Sequence, residues 1–143
     1  MLYSPVLVPD SVAQELQHPR TPAMVQEWIT HPPVWLRVET VHGPSDAGLD
    51  ELDPGERDAI RMALVRGIQT VLIDESEGRR EAERRHLRVI GTLGILERGA
   101  ERGWVDLPAV LQRLLATNFR VRADLMEGLL GRDAARKGQL LSE

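Results

Sequence analysis

The stretch from Asp53 to Asp74 constrains this chain more than any other. Asp53-Pro54-Gly55-Glu56 places N-cap, N1 and N3 chemistry in register, a capping box with Asp in the Ser/Thr role. Ile60, Ala63 and Leu64 then mark a buried helical face, and Gly67 is a natural left-handed stop. Thr70-Val71-Leu72-Ile73 follows as an unbroken apolar run, the pattern of a strand covered on both faces, and Asp74 ends it. A helix that feeds such a strand is half of a βαβ unit. It requires a parallel sheet with helices against it.

The flanking sequence repeats that alternation. Val6-Leu7-Val8 is a β-branched run closed by Pro9, and Asp10-Ser11 offers capping oxygens for a helix to about Gln17. Thr21-Pro22 starts a second helix, with Val25, Trp28 and Ile29 as its stripe, and His31-Pro32-Pro33 stops it. Trp35 to Val41 alternates apolar and polar, which predicts a strand with one wet face, and His42 to Asp50 is a loop. Beyond Asp74 come a charged helix from Glu77 to His86, a strand at Arg88-Val89-Ile90 and a helix opening at Leu93 and ending near Gly103. Further amphipathic helices are expected over Leu107–Ala116 and Leu125–Leu130. The expectation is a single α/β domain over 1–143: a three-layer fold, its mainly parallel sheet flanked by helices, with 104–143 helical.

Composition narrows the function. With 3% aromatic residues among 42% hydrophobic ones, the core is built from Leu, Val, Ile and Ala. Cysteine is absent, which excludes disulfides and thiolate metal sites and fits a reducing compartment, so a cytoplasmic location is expected. No apolar run approaches the roughly 20 residues of a membrane span, and Met1-Leu2-Tyr3-Ser4-Pro5 lacks a signal-peptide pattern. A net charge of −4 argues against broad electrostatic binding of nucleic acid while leaving room for a local basic patch. His18, His31, His42 and His86 have no ligand spacing, and there is no phosphate-binding glycine loop or nucleophile elbow.

Ligands of such folds bind beyond the carboxyl ends of the strands, where the helices begin. Asp74 stands at that end of its strand, and Glu56 at the start of the helix leading into it. The lengths agree: Pro54 to Arg66 spans roughly 18–20 Å as helix, and Gln69 to Asp74 about 17–20 Å as strand. At about 100° per residue, Glu56 falls on the face of Ile60 and Ala63, whereas Asp58 points away as an ordinary solvated acid. Glu15 lies on a helix entered directly from Val6-Leu7-Val8 and belongs near the same edge if that strand is parallel. Three inward acids repel one another unless a cation sits between them. Mg²⁺ favours carboxylates and can activate water against a phosphodiester. The plainer readings are a capping box for Glu56, a polar strand end for Asp74 and surface charge for Glu15.

Four blocks occur in order: Val8-Pro9-Asp10-Ser11-Val12-Ala13-Gln14-Glu15-Leu16, Leu52-Asp53-Pro54-Gly55-Glu56-Arg57-Asp58-Ala59-Ile60, Leu72-Ile73-Asp74-Glu75 and Gly91-Thr92-Leu93-Gly94. This pattern resembles the PIN-domain nucleases, specifically an uncharacterised subgroup found as toxins of bacterial toxin–antitoxin pairs, from Val6 to about Phe119. The resemblance implies a Mg²⁺- or Mn²⁺-dependent ribonuclease with Glu15, Glu56 and Asp74 as catalytic metal ligands, and with Glu75, Ser76 or Glu77 as a further one. It implies RNA as substrate and a small antitoxin protein as partner. It also implies that a first strand and helix, ending in an Asp ligand, are lacking here, either because the start is assigned too late, the favoured explanation, or because the member is degenerate or domain-swapped. That loss predicts weak or no activity and leaves a strand edge to be covered, for which a homodimer is expected. A non-catalytic RNA- or protein-binding module is the second reading, and a structural oligomer with an exchanged strand the third.

Around the acids, Arg79 and Arg80 are candidates for holding RNA phosphates, set against a solvated helix face of Glu77–Arg80, Glu81–Arg84 and Glu81–Arg85 pairs. Thr92 is a candidate for orienting a water or phosphate, set against a helix N-cap. Trp28, Trp35 and Trp104 read as partly buried anchors, and Leu111, Leu114 and Leu115 as a stripe on a binding or dimer face.

Overall fold

A computed structural model of the protein describes residues 2–43 and 46–140. Met1 and the Pro44-Ser45 part of the expected loop lie outside the described residues. The chain gathers into two compact units, Tyr3–Ile90 and one beginning at Gly91.

The first unit holds β1 (Val6–Pro9), α1 (Asp10–Leu16), α2 (Ala23–Thr30), β2 (Leu36–Glu39), α3 (Ala47–Asp50), α4 (Pro54–Arg66), β3 (Thr70–Leu72), α5 (Ser76–Arg84) and β4 (Arg88–Ile90). Both ladders are parallel, Val6 to Pro9 beside Leu36 to Glu39 and Thr70 to Leu72 beside Arg88 to Ile90. Among the described residues the strands form two pairs rather than one continuous sheet. They are short, and α4, packed against both β1 and β3, joins the pairs in place of a ladder. The fold is the expected α/β one, with parallel strands and flanking helices.

Local chemistry accounts for most boundaries. Helix α4 starts at Pro54 after the N-cap Asp53 and stops at Gly67, whose φ of 66° is the left-handed C-cap that glycine adopts freely. The loop expected over His42 to Asp50 contains α3, capped by Asp46, whose side chain accepts from the Gly48 and Leu49 amides. Helix α5 ends in a different way. His86 takes a φ of 61°, and the Leu87 amide closes back on the Ala82 carbonyl at 3.0 Å, so a non-glycine residue holds the left-handed turn.

Two cores stabilise this unit. Leu49, Ile60, Ala63, Val71, Ile73, Ala82 and Leu87 form the larger, between α4, β3 and α5, and Ala13, Ile29 and Leu36 the smaller. Trp35 packs on the smaller core, with its ring centroid 6.3 Å from that of Trp28. The second unit is α6 (Thr92–Glu101), α7 (Leu107–Leu115) and α8 (Ala123–Leu140), packed on Ala100, Leu107, Leu111 and Leu129. The last helix is three times the six residues expected from Leu125 to Leu130. Leu111 is 2% exposed and belongs to this core, so of the proposed outer stripe only Leu115 remains open.

Candidate functional site

Two of the expected acids, Glu15 and Glu56, each lie over the start of a helix. The carboxylate of Glu15, at the end of α1, lies over the first turn of α4, where a Cβ added to Gly55 would stand 3.0 Å from its Oε1. The carboxylate of Glu56 lies over the first turn of α5 in the same manner, 2.8 Å from a Cβ built on Gly78. Since α5 begins directly after β3, the start of α4 and the carboxyl end of β3 share one rim, as the matched lengths of helix and strand require.

Glu56 is the centre of this rim. It sits at N3 of α4, yet Asp53 makes no side-chain cap bond, and Glu56 Oε1 is buried without a hydrogen-bond partner. The capping box read from the sequence is therefore not formed. The side chain has turned from its own backbone toward α5. Burial pushes the Glu56 carboxyl above the usual range, and the charges of Glu75, Asp53, Glu77 and Glu15 push it further. Those four acids are the surroundings it feels. Asp53, the residue at the cap position of α4, contributes from its place one turn before Glu56.

Asp74 follows β3 and precedes Glu75, exposed at the same end of the strand. Arg79 donates to the Ile73 carbonyl at 3.0 Å, which latches α5 to the end of β3. Arg80 is exposed and lies 4.0 Å from Glu77, a loose pair that leaves its guanidinium near solvent. Thr92, in the second unit, is the first residue of α6 with Gly91 at the cap position, so the N-cap reading of Thr92 is set aside.

Asp58 corrects the sequence reading. It is 8% exposed rather than solvated, accepts from Arg57 at 2.9 Å and pairs with Arg61 at 3.5 Å. Burial works to raise its carboxyl, but hydrogen bonds from Arg57 and Ser11 and the charges of Arg57 and Arg61 outweigh it and hold it below the ordinary value. The helical wheel failed because α4 is covered on two sides, by the strands and by α1. Asp58 is satisfied and Glu56 is not.

A buried, partnerless carboxylate oxygen among like charges is the electrostatic environment that a cation relieves. In chemistry the donors fit a hard divalent ion. Among the described residues, however, no three such side chains stand close enough to enclose one. No helix among them is long and apolar enough to cross a membrane.

Helices leading into short parallel strands, with acids gathered where the strands end, define an α/β protein with an acidic rim. The chain belongs to the PIN-domain family, whose model matches residues 1–134. That membership is consistent with a nuclease, and PIN domains generally use divalent metal ions. No curated protein and no solved structure matches the chain.

Proposed function

We propose that this chain is a metal-dependent endoribonuclease of the PIN type, with Glu15, Glu56 and Asp74 holding Mg²⁺ or Mn²⁺ and Glu75 or Glu77 completing the set. The observation that carries this reading is the orphaned Oε1 of Glu56 amid four other acids. An ion bound there would neutralise the rim and polarise a phosphodiester and a water. The chain's own contribution is positional. The parallel strand β3 delivers Asp74 and Glu75, α4 delivers Glu56, and the carboxylate of Glu15 closes over α4. Arg80 is the exposed cation best placed to meet an RNA phosphate, while Arg79 serves the scaffold through Ile73. In the cell the enzyme is a toxin of the cytoplasm, restrained by a small antitoxin protein.

A Mn²⁺ titration followed by melting temperature, run beside an RNA-cleavage assay, tests the reading. Wild type should be stabilised by Mn²⁺ and cleave RNA, with both effects lost in Glu56→Gln. Stabilisation with no cleavage under any divalent ion would favour a non-catalytic RNA-binding module. No response to Mn²⁺ at all would remove the enzyme.

A further inference from the structure

Three glycines in this protein share one arrangement. Gly55 is the second residue of α4, Gly78 the third of α5 and Gly48 the second of α3, and each has a glutamate carboxylate lying over it. Glycine is the poorest helix former after proline, so its place in a helix's first turn needs a reason. Backbone conformation supplies none. The glycines with positive φ among the described residues are Gly67 and Gly103. Space supplies it: a Cβ on Gly78 would lie 2.8 Å from both Cδ and Oε1 of Glu56 and 3.0 Å from Oε2.

Resting on the metal-site reading above, we propose that Gly78 is a positioning residue, the missing side chain that lets Glu56 present its carboxylate at the acidic rim. The crowded atoms belong to the end of a flexible side chain, so an added methyl would move Glu56 rather than unfold α5. Glu56 has no hydrogen-bond partner for Oε1 that would hold it in place against such a push. The contact of Gly48 with Glu81 is the natural comparison. A Cβ there would stand 2.8 Å from Glu81 Oε1, but Glu81 is 7% exposed and fixed by Arg84 and Arg85 at 3.1 and 2.8 Å. Arg85 in turn pairs with Asp46, the cap of α3, at 2.7 Å, so this network ties α3 to α5. The two glycines thus face the same steric problem in front of acids with different purposes.

The experiment is a Mn²⁺ titration of the full chain by electron paramagnetic resonance, with melting temperatures taken in metal-free buffer. Gly78→Ala should lower Mn²⁺ affinity roughly 10-fold or more while the metal-free melting temperature stays within a few degrees of wild type. Gly48→Ala should do the reverse, lowering the melting temperature and leaving Mn²⁺ affinity in place. Glu56→Asp withdraws the carboxylate by one methylene, so in that background Gly78→Ala should cost no further affinity. Equal Mn²⁺ affinity in wild type and Gly78→Ala overturns the proposal, as does the same loss in both backgrounds. Wild type that binds no Mn²⁺ overturns the metal reading itself, and this inference with it.

Discussion

Glu56 and Asp58 are two residues apart on one helix and stand in opposite electrostatic situations. Ionised Glu56 has an oxygen without a partner, and its raised carboxyl means that the folded state binds a proton more readily than the unfolded chain. The stability from this group is present below the ordinary glutamate pKa and lost as pH rises through the raised value. Glu56→Gln should therefore be more stable than wild type at pH 7, by about 1 kcal/mol. The gain should vanish on acidification below the ordinary glutamate value, and pH-dependent denaturant melts in metal-free buffer measure it. Asp58 has the opposite sign. Its lowered carboxyl contributes stability above the ordinary aspartate pKa, which is lost as pH falls through the depressed value. Asp58→Ala strands Arg57 beside a buried gap, while Arg61 keeps its pair with Asp50 at 3.0 Å, and should cost about 1–3 kcal/mol at pH 7 in the same melts. A mutant as stable as wild type would mean that solvent already screens the pair.

At the scale of elements, the chain was legible where punctuation residues stand at helix ends. Asp53, Pro54 and Gly67 gave α4 its bounds, and Pro9 gave β1 its end. Helix α3 was hidden because four residues have no period to read. Helix α8 was hidden because Gly128, Gly131 and Gly138 interrupt its stripe, and packing on α6 and α7 overrides them. At the site, matched helix and strand lengths placed Glu56 near the end of β3. No pattern could show that Glu56 would abandon its cap for α5, or that α1 would cover Asp58. The end of α5 has a consequence of its own. His86 holds a left-handed φ of 61° that costs an ordinary residue and not glycine. His86→Gly should stabilise the protein by about 0.5–1 kcal/mol, read as a higher denaturant midpoint at unchanged slope. A loss of stability would mean that the imidazole makes a contact worth more than the strain.

At the scale of the whole molecule, the question is what covers the strand edges. Among the described residues, β1 bonds only to β2 and β3 only to β4, so each strand has an edge with no strand beside it. Unpaired edges are templates for further pairing, and proteins guard them with charge. The guards here are uneven. Exposed Arg37 stands on β2 and exposed Arg88 on β4, whereas Val6 to Pro9 and Thr70 to Leu72 carry no charge at all. On β3, Leu72 is 57% exposed, so the strand expected to be covered on both faces has an apolar side chain open to water. If a second copy of the chain pairs with this one, the uncharged edges of β1 and β3 are where its strands would add. Light scattering at tens of micromolar should give a mass near twice the 16.0 kDa of one chain. Leu72→Lys places a charge on that edge at a position already open to water, so it should return the mass to a single chain with little change in melting temperature. Wild type that stays monomeric at every concentration would mean that these edges are closed within one molecule, and pairing between copies would be lost as an explanation for the uncharged strands.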